Sequence, residues 1–507
     1  MKDVRRGSVR TINCRHSPAD RISRFELPDK GLVSGVNNMM RLVSTWSVAA
    51  ALVLGFASLA AAQNGNNNQN NQNNNVGAGP GAAGVVISPD GVLRIRQFGD
   101  PNNLLNKRWA ADAKARLPGD LARGSELRKI SLNRLEAAMA AKLAAGEPIT
   151  DEFKYLAGLT RLQYVFYYPE TKDIVIAGPA EPFGTDASGR VIGVNSGRAV
   201  LELQDLVVAL RAYPPGGDPT KELGVSIDPT KEGLERMQQF LNRISGNIAP
   251  GSAPKIVEGL KETLGLQTVS VRGVSPETHF AQVMVEADYR MKLIGIGIEK
   301  PPVKLASYVD KASPSDVSRN ALTRWFFTPN YDCVRVTEDS LAMELIGEGV
   351  KLVGENELVA ADGTRAASGG GNRASELFCQ GFTANYPKLS QKVAVYAQLR
   401  NLIDIAIAAA YIQQQDFYSQ ADWKMELFGD ENRFAVEVYE TPKQVETACT
   451  AVLKGARLMT PVGGGVQVNP LKAISAENRQ KDEQGNISKA KQQVKLDNLS
   501  KGQWWWD

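Results

Sequence analysis

Apolar residues fall at near-helical spacing at Leu127, Ile130, Leu132, Leu135, Met139 and Leu143. This predicts a mainly helical stretch over residues 104–159, with Ser131 as a cap and Gly146-Glu147-Pro148 as a break. Residues 162–168 are instead aromatic and β-branched. A turn at 169–173 separates them from Ile174-Val175-Ile176, so a β-hairpin is expected. A short strand over 91–97 opens the folded part, another is expected at 190–194, and residues 201–211 form an amphipathic helix. A tandem pattern follows. Gly224-Val225-Ser226-Ile227 runs through Asp228-Pro229 into a helix, and Thr268-Val269-Ser270-Val271 runs through Ser275-Pro276 into another. In each, a capping residue precedes proline at the first helical position, which predicts helices packed on a sheet. Residues 324–363 alternate short strands with turns, as in an antiparallel meander. Residues 389–414 form one helix, whose stretch 402–412 is apolar nearly all round and therefore central to a core.

The expected fold is thus α+β (mixed α/β): a helical region over 85–160, strand–helix units over 161–300, and a strand-rich plus helical domain over 301–469. Residues 470–507 are polar and charged and are expected to be a disordered tail. The closing Trp504-Trp505-Trp506 folds back on the domain; a docking plug or membrane-surface anchor is the alternative.

The beginning of the chain changes how charge is read. Residues 42–62 carry no charge, residues 48–56 have the length of a signal-peptide core, and Ala60 and Ala62 give the A-x-A pattern that places a cut before Gln63. An uncleaved anchor is the competing reading. Residues 39–62 are therefore expected to be a signal peptide starting at Met39 or Met40, and residues 1–38 a gene-start artefact. An Asn/Gln- and Gly-rich linker over 63–84 buries too little apolar surface to fold. The whole chain carries a net charge of +4, but residues 63–507 hold 50 Lys/Arg against 51 Asp/Glu. Nothing electrostatic then points to nucleic acid.

One histidine, His279, remains after such a cut, which excludes zinc sites needing two. His279 lies in the first turn of the second tandem helix near Glu277, with Glu286 and Asp288 beyond it. These acids fit i,i+4 surface pairs with Arg290 and Lys292. Asp404 is an isolated carboxylate in an apolar helix, with Arg400 one turn earlier as its partner. His279, Glu286, Asp288 and Asp404 are the candidate site residues. Cys333, Cys379 and Cys449 allow one disulfide in an oxidising compartment, with buried free thiols as the alternative. Gly295-Ile296-Gly297 lacks the third glycine of a dinucleotide loop, and Gly369-Gly370-Gly371 precedes no Lys-Ser/Thr. No cofactor or metal is expected.

Residues 275–297, Ser-Pro-Glu-Thr-His-Phe-Ala-Gln-Val-Met-Val-Glu-Ala-Asp-Tyr-Arg-Met-Lys-Leu-Ile-Gly-Ile-Gly, resemble a family of secreted, uncharacterised proteins of planctomycete bacteria. Arg324-Trp325-Phe326-Phe327-Thr328-Pro329 fits the same family, and the resemblance spans roughly residues 120–430. It implies an extracytoplasmic protein and brings no activity or catalytic residues with it. The expected function is a secreted or periplasmic protein that acts by binding or assembly, with another envelope protein or a second copy as partner and no transmembrane span after cleavage. A carboxylate-based hydrolase acting on glycans is the alternative. N-terminal sequencing of the native protein should return Gln63; an N-terminus upstream of Met39 would overturn the assigned start.

Overall fold

The computed structural model describes residues 84–96, 104–186, 188–244, 250–313, 321–360, 362, 364–367, 372–450, 453–454, 457–458, 462–492, 496, 499–500 and 502–507. The leader, the linker up to residue 83 and the Gly369-Gly370-Gly371 loop lie outside them. The described residues all fall in one compact unit, Asn73–Asp507.

The helices are α1 (Leu104–Arg116), α2 (Leu132–Ala144), α3 (Asp151–Lys154), α4 (Leu203–Ala212), α5 (Lys231–Ile244), α6 (Ala253–Leu264), α7 (His279–Gly295), α8 (Tyr308–Lys311), α9 (Arg373–Lys392), α10 (Ala394–Gln414), α11 (Phe417–Gln420), α12 (Pro470–Ala473) and α13 (Asn486–Gln492). The strands begin with β1 (Val85–Ile87), β2 (Val92–Ile95), β3 (Ser125–Ser131), β4 (Tyr164–Tyr168), β5 (Asp173–Ala180), β6 (Phe183–Thr185) and β7 (Val191–Gly193). They continue with β8 (Leu223–Asp228), β9 (Gln267–Arg272), β10 (Ala321–Pro329), β11 (Val334–Val336), β12 (Ala342–Leu345), β13 (Val350–Val359) and β14 (Arg365–Ala367). The last are β15 (Gln444–Val445), β16 (Leu453–Lys454), β17 (Arg457–Leu458), β18 (Val462–Val468), β19 (Arg479–Lys481) and β20 (Trp505–Trp506).

Two mixed sheets organise them. The nine-stranded sheet runs β1-β2-β15-β9-β8-β18-β10-β13-β14 and the seven-stranded one β19-β11-β12-β4-β5-β3-β20. The fold is α+β, as expected, but the two sheets do not follow the expected sequential domains. Each sheet takes strands from both sides of residue 300. The strand-rich segment is divided rather than a single meander, since β10 pairs β13 while β11 pairs β12 in the other sheet.

The tandem units are real but their details differ. β8 and β9 are antiparallel neighbours. Both helices start two or three residues later than the prolines suggest. The hydroxyl of Thr230 accepts from Gly233 N, and that of Thr278 accepts from Ala281 N. Threonine is a competent cap, and the prolines sit in the preceding turns. Residues 389–414 are not one helix: α9 and α10 meet at Val393 with a bend of 108°. Ser131 caps α2 as read, its hydroxyl accepting from Arg134 N; the strand β3 just before it was hidden in the helical periodicity. The hairpin β4–β5 turns at Lys172, which has a φ of +57°.

Helix α7 is the centre of the packing. It lies on β8 and β18 on one side and against α10 and α4 on others. Gly295 and Gly464 make these approaches possible, because a Cβ at either would strike Trp325, its ring in the first case and its backbone in the second. Gly464 also has a φ of +127°. The glycine in Gly295-Ile296-Gly297 therefore serves packing, not phosphate. A smaller core gathers α5 and α6 with Leu322, Val359 and Cys449. Another covers the far face of the seven-stranded sheet with Ile487, Leu496 and Trp506. Among the described residues no single helix is long and apolar enough to cross a membrane.

The expected disordered tail is instead folded in. β19 pairs β11, and β20 pairs β3 as its edge. Trp504 is buried against Phe153, with ring centroids 4.8 Å apart. The tail's polar residues are mostly exposed or half-buried, while Ala473, Ile474, Ile487, Leu496, Trp504 and Trp506 anchor it in the core. The three expected disulfide cysteines are free buried thiols. Cys449 sits in the small core while Cys333 and Cys379 sit in the large one, and burial pushes their thiols up to about 11, about 12 and about 12 respectively.

The tail ends on a charge contact. Arg128, fully buried, donates through Nε and Nη2 to both Asp507 carboxylate oxygens at 2.8 and 2.9 Å. Burial alone would raise the Asp507 carboxyl, but the hydrogen bond and charge of Arg128 outweigh it and hold the group below its ordinary value. Such a group stabilises the fold above the usual carboxylate range and loses that contribution as the pH falls through it. Asp507→Asn should therefore lower stability at neutral pH by roughly 1–3 kcal/mol, discounted from a fully buried pair because Asp507 is 43% exposed. Urea unfolding at neutral and acid pH would show the gap closing on acidification; a gap independent of pH would refute the ion-pair account.

Candidate functional site

The site forms where two helix N-termini meet. Glu202 is the N-cap residue of α4 and Asp205 lies in its first turn, where the helix dipole favours a carboxylate. His279 is the first residue of α7, just after its Thr278 cap. Its Nδ1–H donates to both Asp205 oxygens, at 2.9 Å to Oδ2 and 3.1 Å to Oδ1. Its Nε2 lies 3.6 Å from Glu202 Oε1 and 3.4 Å from Gln398 Nε2. Gln398 comes from α10, and its Oε1 accepts from Arg190 Nε at 2.9 Å. Arg190 in turn pairs with Glu286 on α7. Two expected residues, His279 and Glu286, are thus joined through Arg190 and Gln398. Glu277, the expected neighbour of His279, is exposed; its backbone oxygen accepts from Tyr439 N and its Oε1 from the Thr441 hydroxyl at 3.4 Å.

Above this floor is a cavity of about 320 Å³. Its walls include Tyr155, Leu203, Phe434, Val436, Glu437 and Tyr439, and its floor Arg190, Glu202, Gln204, His279 and Gln398. That size is at the small end of the roughly 300–1,000 Å³ typical of ligand pockets. Burial holds the Glu202 carboxyl above its ordinary value; the His279 charge opposes this and the Asp205 charge adds to it. Burial also raises the Tyr155 hydroxyl to about 12, so it is a donor at neutral pH.

Part of this centre falls within a recognised family segment. A domain of the family described as "Protein of unknown function (DUF1598)" is found at residues 225–308. No curated protein and no solved structure matches the chain. The DUF1598 domain runs from β8 through α5, α6, β9 and α7 to the start of α8. It supplies His279 and Glu286 to the site. Arg190, Glu202, Asp205, Gln398 and Tyr439 come from outside it.

The other two expected residues lie elsewhere. Asp288 is fully buried and pairs with Lys292 at 2.7 Å, not at the surface as its i,i+4 spacing suggested. Lys292 Nζ also donates to the backbone oxygens of Ile227 and Gly464, at 3.0 and 3.2 Å, tying α7 to the nine-stranded sheet. Burial raises Asp288 to about 6 against the pull of Lys292. Asp404 is buried on α10 with Arg161 Nε at 3.5 Å and Arg400 Nε at 3.9 Å. Neither of its oxygens accepts a hydrogen bond among the described residues. Burial raises it to about 6, with Arg161 and then Arg400 opposing. Neither acid lines the cavity.

Glu202 and Asp205 escaped sequence reading because acids at a helix start are ordinary dipole partners. Only their i,i+3 spacing, which puts both on one face, hinted at more.

The pH behaviour of His279 tests this arrangement. Burial alone would lower it, but the charges of Asp205 and Glu202 and the Asp205 hydrogen bond prevail and raise it to about 9. The ion pair stabilises the fold fully below about 6.5 and is lost as the pH rises through about 9. NMR titration of the His279 ring should give a midpoint near 9 in the wild type. In Asp205→Asn it should drop by more than one unit. An unchanged midpoint would show that Asp205 does not hold the charge.

Proposed function

We propose that the protein works outside the cytoplasm as a binding protein, and that the cavity over His279 takes up a small organic ligand. The observation that carries this is the composition of the cavity: aromatic and aliphatic side chains (Tyr155, Leu203, Phe434, Val436, Tyr439) interspersed with charged and hydrogen-bonding groups (Lys154, Arg190, Glu202, His279, Gln398, Glu437), the usual build of a small-molecule site. An apolar body would rest on Phe434, Val436 and the tyrosines, while its polar group reaches Glu202, His279 and Gln398. The uncharged run at 42–62, with Ala60 and Ala62 before Gln63, supports the extracytoplasmic location. The resemblance of residues 275–297 to secreted planctomycete proteins supports a bacterial envelope setting.

One observation favours catalysis as a second reading. Glu202 and Glu437 both line the cavity, and burial holds up the Glu202 carboxyl. Two acids in unequal environments can divide the acid and base roles of a glycan hydrolase. The candidate acids Glu286, Asp288 and Asp404 do not line the cavity.

Binding can be measured by ligand-observed NMR with fragment-sized aromatic amines and aromatic carboxylates as probes. Ala435 is exposed at the cavity wall, so Ala435→Trp should fill the space without disturbing the core and weaken binding at least tenfold. Probes that bind the variant equally well would overturn the proposal. So would failure of every probe to bind the wild type more tightly than about 1 mM. Hydrolysis of a reporter glycoside that is lost in both Glu202→Gln and Glu437→Gln would favour the second reading.

A further inference from the structure

We propose that Glu202, Asp205 and His279 form a binding site for a divalent first-row transition-metal ion such as zinc, opening onto the cavity. This builds on the cavity reading above, but it concerns the ion alone.

The donor set comes first. One imidazole nitrogen and one oxygen from each carboxylate lie within 4.8 Å of one another. Donors bound to one tetrahedral zinc ion at about 2.1 Å stand about 3.4 Å apart, so the set, spread over at most 4.8 Å, needs to close by up to about 1.4 Å. Glu202 and Asp205 are placed by the first turn of α4 and His279 by the start of α7, both anchored in the core. Asp205 stands at Nδ1 of the ring and Glu202 at Nε2, so binding requires the coordinating ring nitrogen to give up its proton and a carboxylate to swing toward it.

Charge points the same way. Arg190 is neutralised by Glu286, so it does not balance the two carboxylates beside the ring. In the metal-free protein the His279 ring pairs with both carboxylates; a divalent ion bound to the neutral ring would take over that role and balance the −2 of Glu202 and Asp205 in full. The mixture of one nitrogen and two oxygens suits zinc, manganese or cobalt better than calcium or magnesium, which favour all-oxygen shells.

The surroundings supply the third argument. Gln204 Nε2 donates to Glu202 Oε2 at 2.7 Å, orienting that carboxylate from behind, as outer-shell groups do in metal sites. The other atom of the same amide, Gln204 Oε1, is buried and has no hydrogen-bond partner among the described residues. Gln204 lines the cavity. A water carried by the ion would give that oxygen the donor it lacks. With three protein donors, the remaining coordination positions face the cavity, the open arrangement of a site that engages a ligand rather than one that only braces the fold.

The full chain, treated with chelator and dialysed, should bind ZnCl₂ one-to-one by isothermal titration calorimetry, at least a hundredfold more tightly than CaCl₂. His279→Gln and Glu202→Gln should each weaken zinc binding at least tenfold. Glu483→Gln, exposed and away from the cavity, should leave it within twofold. Should the His279 variant not fold, MnCl₂ added to the wild type should selectively broaden the His279 ring signals. Absence of one-to-one zinc binding, zinc affinity unchanged in both donor variants, or His279 signals untouched by manganese would each overturn the proposal. Probe binding by NMR in metal-free protein reports separately on the organic-ligand reading.

Discussion

The structure depends on a contradiction within α7. The helix is buried on nearly every side, yet it carries His279, Glu286, Asp288, Arg290 and Lys292. A buried charge without a partner costs several kcal/mol, and α7 itself supplies only two of the pairs needed, Asp288–Lys292 and Glu286–Arg290. The rest must arrive from elsewhere: Asp205 for His279, Arg190 for Glu286, Glu299 for Arg290, and the carbonyls of Ile227 and Gly464 for Lys292. Those partners lie on strands, helices and loops from residue 190 to residue 464. Satisfying them brings β8, β18, α4 and α10 around one axis.

The same requirement explains why the DUF1598 segment does not stand apart from its surroundings. Its strands β8 and β9 are flanked in the sheet by β18 and β15, both from far later in the chain. Its histidine is completed by residues that precede it. The segment reads as the inner part of a larger unit, and the cavity forms where that inner part meets α4 and α10.

Local features were legible where local physics decides them. The β4–β5 hairpin was written in its aromatic strands and its turn, and the α2 cap in Ser131. Features that depend on distant partners were not. Nothing near Glu286 or Asp288 tells that α7 is buried, because an i,i+4 ion pair has the same spacing in water and in a core. The fold-back of the closing tryptophans was legible, and Trp504 and Trp506 are buried, but the rest of the tail was misread because its polar composition does not reveal the pairing of β19 with β11 or the burial of Ile487. The bend at Val393 was concealed because no proline or glycine marks it: residues 388–395 contain neither, so nothing local separates the end of α9 from the start of α10. The carboxylates of the candidate site were invisible for the opposite reason: acids at a helix start already have a sufficient local explanation.

The position of β18 has a consequence for how the chain reaches this state. It lies between β8 and β10, in the interior of the nine-stranded sheet, but it is made of residues 462–468. During synthesis from the N-terminus, β8 and β10 are complete more than a hundred residues before the strand that joins them. Until it arrives, two open edges and the underside of α7 remain unpaired. Such long-range closure slows folding. The two halves of the nine-stranded sheet can form beforehand as separate hairpins, β8 with β9 and β10 with β13, but only residues 462–468, arriving late, act as the keystone that joins them.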